Sequence, residues 1–446
     1  MHAIGECITD PKSSASLRFR AATFVINLAT DPQQKAVAGF PTLPAEVEAI
    51  SGQMLDQPKE EEPAPAPETE NSVVQSDSLH NLAQSVEFGF VSPRGRAAHT
   101  WEMTSVSVGL IGYGLGGSVF HAPLICAVPG LTLSAVVTSQ RDRVEKDLPG
   151  IPVIASTEEL LADAGIRLVI VASPSTTHFE VARAALLAGK DVVIDKPFAG
   201  TVQEAQTLMD LAGNQGLFLS VYQNRRWDGD FLTVKQLIQD GLLGEVFHYE
   251  SHFDRFRLDI RTGWRETGGR GSGILYDLGA HLIDQAVHLF GLPHAVTADV
   301  FAQRHGAVAP DYFHLVLEYG RMRTILHGAT VVKSPGPHFA VHGDKGSFVK
   351  YGMDPQEDAL KAGQRPGDAG WGLDTAANYG LFVPVEGEAR KVETLVGGYE
   401  NYYKGVAAAL LNHGVNPVDP AGSRDGLVII EAAMRSAVER RTVAVL

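Results

Sequence analysis

Cysteine is nearly absent from the 446-residue chain. Cys7 and Cys126 are the only two, too few for a disulfide framework and in keeping with a reducing, cytoplasmic setting. Long apolar runs are missing as well. None approaches the ~18 residues needed to span a bilayer, and stretches such as 168–172 (LVIVA) have the length of buried strands. Positive charge is also scarce: 37 Lys and Arg stand against 52 Asp and Glu, a formal net charge of −15. Nucleic-acid binding rests on neutralising phosphates, so neither a nucleic acid nor a membrane is an expected partner. What remains is 44% hydrophobic and 20% charged, the profile of a globular protein with a sizeable core. The length suggests two domains and something more.

That extra part is residues 1–102. Residues 59–68 (KEEEPAPAPE) are low-complexity sequence that buries little, and the segment carries 7 Lys and Arg against 14 Asp and Glu. Met103 stands immediately before a clear strand. The segment is expected to be a disordered extension or upstream sequence from a misassigned start, with a regulatory or docking tail as the other reading.

Residues 105–111 (SVSVGLI) form a short β-branched apolar run, the signature of a buried parallel strand. The run feeds into Gly112-x-Gly114-x-x-Gly117, and 118–125 (SVFHAPLI) is compatible with a helix. In this context Gly112 permits a tight turn, Gly114 lets backbone approach a pyrophosphate, and Gly117 allows close helix–strand packing. The helix N-terminus then offers free N–H groups to the anion. A second strand, 132–137, ends at Thr138 and Ser139, with Arg141 and Arg143 just beyond. An NAD site usually has a carboxylate here for the ribose 2′-hydroxyl. Hydroxyls and guanidinium groups suit a 2′-phosphate instead, so NADP is expected over NAD, with Asp142 as the residue that could favour NAD.

The alternation of strand and helix continues to about residue 222, which reads as a doubly wound parallel sheet. Its strand ends, where ligands sit in such sheets, bring forward Ser173, Pro174, His178 and 195–197 (DKP). Lys196, at the carboxyl edge of a strand, is well placed beside a nicotinamide ring. Residues 273–290 read as a helix after the glycine-rich lead 268–273. Asp277 and His281, four apart, are expected on one face, the carboxylate orienting the imidazole and stabilising its protonated form for acid–base work. With Asp284 and His288 of the same helix, Asp277 and His281 form a carboxylate–imidazole stripe that could hold a metal. Hydride transfer needs none, so no metal is expected.

Together these features resemble the glucose–fructose oxidoreductase/inositol dehydrogenase/MocA (Gfo/Idh/MocA) family. Its pattern pairs the glycine loop with E-K-P and D-x-x-x-H, present here as 195–197 and Asp277-x-x-x-His281. Asp195 stands in place of Glu, and Gln223 in place of a His before 224–228 (NRRWD). Within the family the likeness is to NADP-dependent scyllo-inositol 2-dehydrogenases. The resemblance implies an α/β protein with two domains. Residues 103–222 would form a Rossmann dinucleotide-binding domain. Residues 223–446 would form an α+β substrate-binding and oligomerisation domain with a large, mostly antiparallel open sheet, where alternating runs such as 246–253 and 313–319 read as half-exposed antiparallel strands.

The expected activity is NADP(H)-dependent interconversion of a secondary alcohol and a ketone on a cyclic polyol or sugar. Lys196, His281 and Asp277 would be catalytic, and Gly112, Gly114, Gly117, Thr138, Ser139, Arg141, Ser173, Pro174, His178 and Lys196 would meet the cofactor. Asn224, Trp227, Trp264, Arg265 and Tyr276 are placed around the substrate. A homodimer or homotetramer is implied by the family. Two other readings stay open: a related sugar, keto-sugar or dihydrodiol reductase, and a non-catalytic dinucleotide-binding sensor. Retention of Lys196, Asp277 and His281 together argues against the sensor.

Overall fold

The computed structural model describes residues 105–445 apart from Trp264 and Arg270. The expectation for residues 1–102 therefore lies outside the described residues. β1 (Val106–Ile111), β2 (Leu131–Val137), β3 (Val153–Ile154), β4 (Leu168–Val171), β5 (Asp191–Asp195) and β6 (Leu219–Tyr222) form a six-stranded sheet in the order 3-2-1-4-5-6. Every pairing in it is parallel. β4, the middle of β5 and β6 are buried throughout, as a sheet covered on both faces requires.

The connecting helices are α1 (Ala122–Cys126), α2 (Arg141–Asp147), α3 (Thr157–Ala162), α4 (His178–Leu187) and α5 (Val202–Gln215). Their ends follow local rules. Thr201 Oγ1 accepts from the Glu204 backbone N–H at the start of α5, and Gly216 closes that helix in the left-handed conformation, where glycine carries no Cβ penalty.

A second sheet of nine strands follows: β7 (Val246–His252), β8 (Ala295–Phe301), β9 (Tyr312–Tyr319), β10 (Met322–Ala329), β11 (Phe339–Gly343), β12 (Gly346–Lys350), β13 (Gly380–Pro384), β14 (Arg390–Val392) and β15 (Val443–Ala444), in the order 14-13-12-11-7-10-9-8-15. Its pairings are antiparallel except one. β7, expected from its alternation to be antiparallel, runs antiparallel to β11 but parallel to β10. Alternation reports a half-covered face and carries no information about strand direction.

The remaining helices are α6 (Gly229–Gln239), α7 (Ala280–Phe290), α8 (Gln356–Lys361), α9 (Glu400–Asn412) and α10 (Pro420–Glu439). α9 and α10 return from the end of the chain onto the first sheet. Tyr402 donates to Ser220 Oγ of β6 (3.0 Å), and Tyr403 OH meets His121 Nδ1 (2.5 Å). α10 packs on β8, α5 and β6 together, so a division near residue 222 separates the sheets but not their helices.

The turn after β1 depends on glycine at two positions. Gly112 has φ +99°, and a Cβ there would lie 2.5 Å from the Ala172 carbonyl oxygen; one on Gly117 would lie 2.1 Å from the Gly112 carbonyl oxygen. Gly112→Ala therefore combines a left-handed backbone cost of about 1–3 kcal/mol with a backbone clash. It is expected to lower the urea midpoint of unfolding clearly more than Gly114→Ala, whose Cβ would meet nothing within 4 Å.

Candidate active site

The glycine turn holds its shape through backbone contacts. Gly112 N–H donates to Val137 O (2.9 Å), and Ser118 Oγ donates to Gly114 O (2.8 Å). A π turn, Gly116–His121, starts the following helix. The space over Gly114 is open, so backbone lies bare where a pyrophosphate would approach a helix start.

Beyond β2, Ser139 and Arg141 are exposed and Thr138 half-buried. Thr138 Oγ1 accepts from Gln140 N–H (3.0 Å), and Arg141 Nη2 donates to Val153 O (3.2 Å). Arg143 turns inward instead: Nη2 donates to Ser118 Oγ (2.7 Å), and the guanidinium lies over the Tyr113 ring.

Ser173 and Pro174 follow β4, where Ser173 Oγ and Thr177 Oγ1 are 2.7 Å apart. His178 departs from expectation. It is buried, with Nδ1 2.8 Å from Pro197 O and Nε2 3.0 Å from Ser173 O. It braces two strand-end loops against each other, and both its ring nitrogens face protein carbonyls rather than an open cofactor cleft. Ser175, Thr176, Phe179, Pro197, Ala199 and Gly271 line a cavity beside these loops, so the glycine-rich lead comes down onto the carboxyl edge of the first sheet.

Lys196 leaves the end of β5 and reaches across to the second half of the chain. Its Nζ donates to the Asp277 carbonyl oxygen (2.5 Å) and to Asp277 Oδ1 (2.9 Å), while Arg265 Nε donates to the same Oδ1 (3.2 Å). Burial pushes the Asp277 carboxyl up, but Lys196 and Arg265 beside it outweigh this and hold it far below the usual carboxylate range.

Asp277 thus serves Lys196, and the expectation that it orients His281 is corrected. The physical reason is competition for the carboxylate: Asp277, in the π turn Leu275–Gly279 ahead of α7, is taken by the Lys196 ammonium and the Arg265 guanidinium. His281, in α7, is 6% exposed and its Nδ1 is buried without a hydrogen-bond partner. Burial, then the charges of Lys196 and Arg225, hold its pKa well below the ordinary value, with Asp277 opposing. The imidazole is neutral, so the expected stabilisation of its protonated form is also corrected.

The metal reading of that helix fails for a related reason. Asp284 takes both Nε and Nη2 of Arg226 (2.8 and 2.7 Å), and His288 Nε2 meets Lys235 Nζ (2.9 Å). Asp277, Asp284 and His288 are thus each held by a different cation, while His281 Nδ1 stays unbonded.

Among the proposed substrate residues, Arg265 and Tyr276 gather about Asp277 or its turn, and Tyr276 is partly buried. Asn224 is buried in a 3₁₀ turn, Asn224–Trp227, after β6, and Trp227 packs edge-on against Tyr402. Trp264 lies outside the described residues. Sequence reasoning overlooked Arg225. This buried guanidinium bonds Asp228 Oδ2 (3.2 Å) and Glu357, and its charge acts on His281. The three-residue spacing of Arg225 and Asp228 in NRRWD was the available signal. Also overlooked was the support of Asp195, whose Oδ1 accepts the Lys196 backbone N–H (2.8 Å) while Oδ2 lies 3.6 Å from His121 Nε2.

A parallel sheet with a glycine turn at its nucleotide edge, facing an ammonium and a neutral imidazole, defines a dinucleotide-dependent oxidoreductase. Comparison with known proteins agrees. Residues 106–223 match the family model "Oxidoreductase family, NAD-binding Rossmann fold" of Gfo/Idh/MocA, and 235–445 match its "Oxidoreductase family, C-terminal alpha/beta domain". The chain is 44% identical over 345 residues to scyllo-inositol 2-dehydrogenase (NADP(+)) IolW of Bacillus subtilis, covering 77% of this chain and 96% of that protein. It is 47% identical over 341 residues to the uncharacterized oxidoreductase YdgJ of Escherichia coli, covering 76% and 98%. The solved structure of yvaA from Bacillus subtilis is similar at 43% identity, with a TM-score of 0.75 over 77% of this chain and 99% of that one. The chain belongs to the Gfo/Idh/MocA oxidoreductase family and is an NAD(P)-dependent dehydrogenase. Among the described residues, no helix is long and apolar enough to cross a membrane.

The neutral imidazole has a consequence for stability. Below its ordinary pKa of about 6.5, His281 takes up a proton in the unfolded chain that the folded site refuses. Its contribution to stability is therefore full above that pH and drains away as pH falls. His178, His288 and His338, all held low chiefly by burial, act in the same sense. Urea midpoints between pH 7.5 and 5 are expected to fall more steeply for the native protein than for His281→Asn.

Proposed function

We infer that the protein catalyses reversible NADP-dependent oxidation of a secondary alcohol on a cyclic polyol or sugar, in the manner of a scyllo-inositol 2-dehydrogenase. The observation that carries this reading is the meeting of Lys196, from the nucleotide sheet, with Asp277, one helical turn before His281. Bound nicotinamide supplies the acceptor for the hydride leaving the alcohol carbon. The protein's part is to handle the hydroxyl proton and the oxygen. Lys196, paired with the Asp277 carboxylate, donates a hydrogen bond to the substrate oxygen and stabilises charge developing on it. His281, kept neutral, is suited to accept the hydroxyl proton in oxidation and to return it in reduction. Arg265 and Tyr276 flank the substrate next to this pair.

The cofactor preference rests on the loop after β2. Thr138, Ser139 and Arg141 offer hydroxyls and a guanidinium where a carboxylate would repel a 2′-phosphate. Assembly into a homodimer or homotetramer fits the exposed apolar side chains of the second sheet, among them Leu381 and Val383.

Purified protein mixed with NADP and a panel of inositols, other polyols and sugars is expected to generate reduced nicotinamide with a cyclic polyol, followed by its absorbance. No turnover with any member of the panel would overturn the reading. Lys196→Ala and His281→Ala are each expected to lower turnover by roughly 10²- to 10⁴-fold with NADPH affinity, measured by fluorescence titration, largely intact. Arg141→Ala is expected to weaken NADP binding far more than NAD binding. An equal loss for both would remove the 2′-phosphate role.

A further inference from the structure

The second sheet carries another cluster of chemically capable side chains, separate from the Lys196 cleft. His252 of β7 stands directly opposite His327 of β10 in the parallel pairing, and alternation along β7 sends His248, Glu250 and His252 to one face. Asp254 follows two residues later. Its Oδ1 accepts from Ala329 N–H (3.1 Å) and lies 3.3 Å from His327 Nε2, while its Oδ2 lies 3.5 Å from His252 Nδ1. One donor atom from each of the three residues lies within 4.8 Å of the other two. A tetrahedral ion with bonds of about 2.0–2.1 Å spaces its ligand atoms roughly 3.3 Å apart. Asp254 therefore already stands from both imidazoles at nearly the separation that an ion imposes.

Hydrogen bonding behind the cluster points the same way. Glu250 Oε1 is 2.6 Å from His252 Nε2. A carboxylate on the far nitrogen is the usual support of a metal-binding histidine, because it fixes the tautomer and raises the basicity of the near nitrogen. The near nitrogen, Nδ1, faces the Asp254 carboxylate, a position that a metal ion fills in place of a proton. His327 Nδ1 is buried without a partner, so no competing bond turns that ring away.

We propose that His252, Asp254 and His327 bind one divalent transition-metal ion of the zinc class. Two imidazoles and one carboxylate match such an ion, whereas magnesium and calcium prefer shells of oxygen. The fourth ligand is left to water or to a neighbouring side chain such as His314, whose ring centroid is 5.8 Å from that of His327. None of the three ligands takes part in the proposed handling of the hydroxyl proton, so the site is a structural or regulatory one.

The test uses the full-length protein, stripped with a chelator and then titrated with zinc chloride by calorimetry, with magnesium chloride in parallel. The native protein is expected to bind one zinc equivalent per chain more tightly than His327→Gln or Asp254→Asn, each of which weakens that equivalent by at least about tenfold, while magnesium is not taken up there. Turnover with NADP should be unchanged in both variants, which marks them as folded. Cobalt(II) added to the stripped native protein should give the visible bands of a tetrahedral ion, a readout that needs no variant. Identical zinc binding in the native protein and both variants, magnesium binding equal to zinc, or no tetrahedral cobalt spectrum would each overturn the proposal.

Discussion

The site depends on the ion pair between Lys196 and Asp277. It is the contact by which the end of β5 in the parallel sheet grips the turn before α7, and both partners are largely withdrawn from water. A buried carboxylate without a partner is costly, and removing one member of such a pair leaves the other charge uncompensated. The pair therefore has a double consequence. It fixes an ammonium at the sheet's carboxyl edge, and that ammonium helps to keep His281 neutral.

Behind this pair lies a support drawn from distant parts of the chain. Asp195 holds the Lys196 backbone, and His121, from the π turn after β1, stands between Asp195 and Tyr403 of α9. On the other side Arg225 is clamped by Asp228, Tyr399 and Glu357 while Gln285 of α7 donates to its carbonyl oxygen. The tyrosines of α9 are thus part of the floor of a site whose reacting groups arrive more than a hundred residues earlier. That explains why α9 and α10 pack on the first sheet: an edge that must hold charges in place needs a rigid apolar backing, and Tyr399, Tyr402 and Tyr403 are all fully buried there.

Much of the first sheet was legible in the chain, because a parallel strand buried on both faces must be a short apolar run and the turn after β1 tolerates only glycine at Gly112. Lys196, Asp277 and His281 were legible as a set for the same reason: their motifs are local. What was not legible was which of them touches which. An i, i+4 spacing predicts a shared face but not a hydrogen bond, and nothing in 273–281 announces that Lys196, from a distant strand end, takes the Asp277 carboxylate. His178 was misjudged because a histidine at a strand end can look toward a ligand or back toward carbonyls, and only the packing of the Pro197 loop decides. The direction of β7 was hidden because alternation is the same for parallel and antiparallel half-covered strands.

The same distinction between local and long-range information separates chemistry from substrate choice. Lys196 and His281 sit on secondary-structure elements braced from several sides, whereas the described residues of 254–273 form no helix or extended strand and leave Leu258 and Ile260 exposed. Its main tether is Arg304. This buried guanidinium bonds Asp311 Oδ2 (2.7 Å), Glu266 Oε2 (2.6 Å) and the Asp259 carbonyl oxygen (2.9 Å). Apart from Arg265, which bonds Asp277 itself, the side chains of such a loop can change without touching the ion pair behind it. Proton handling can then be common to a family while the polyol or sugar accepted differs between members, because recognition and chemistry are carried by parts of the fold with different freedom to vary.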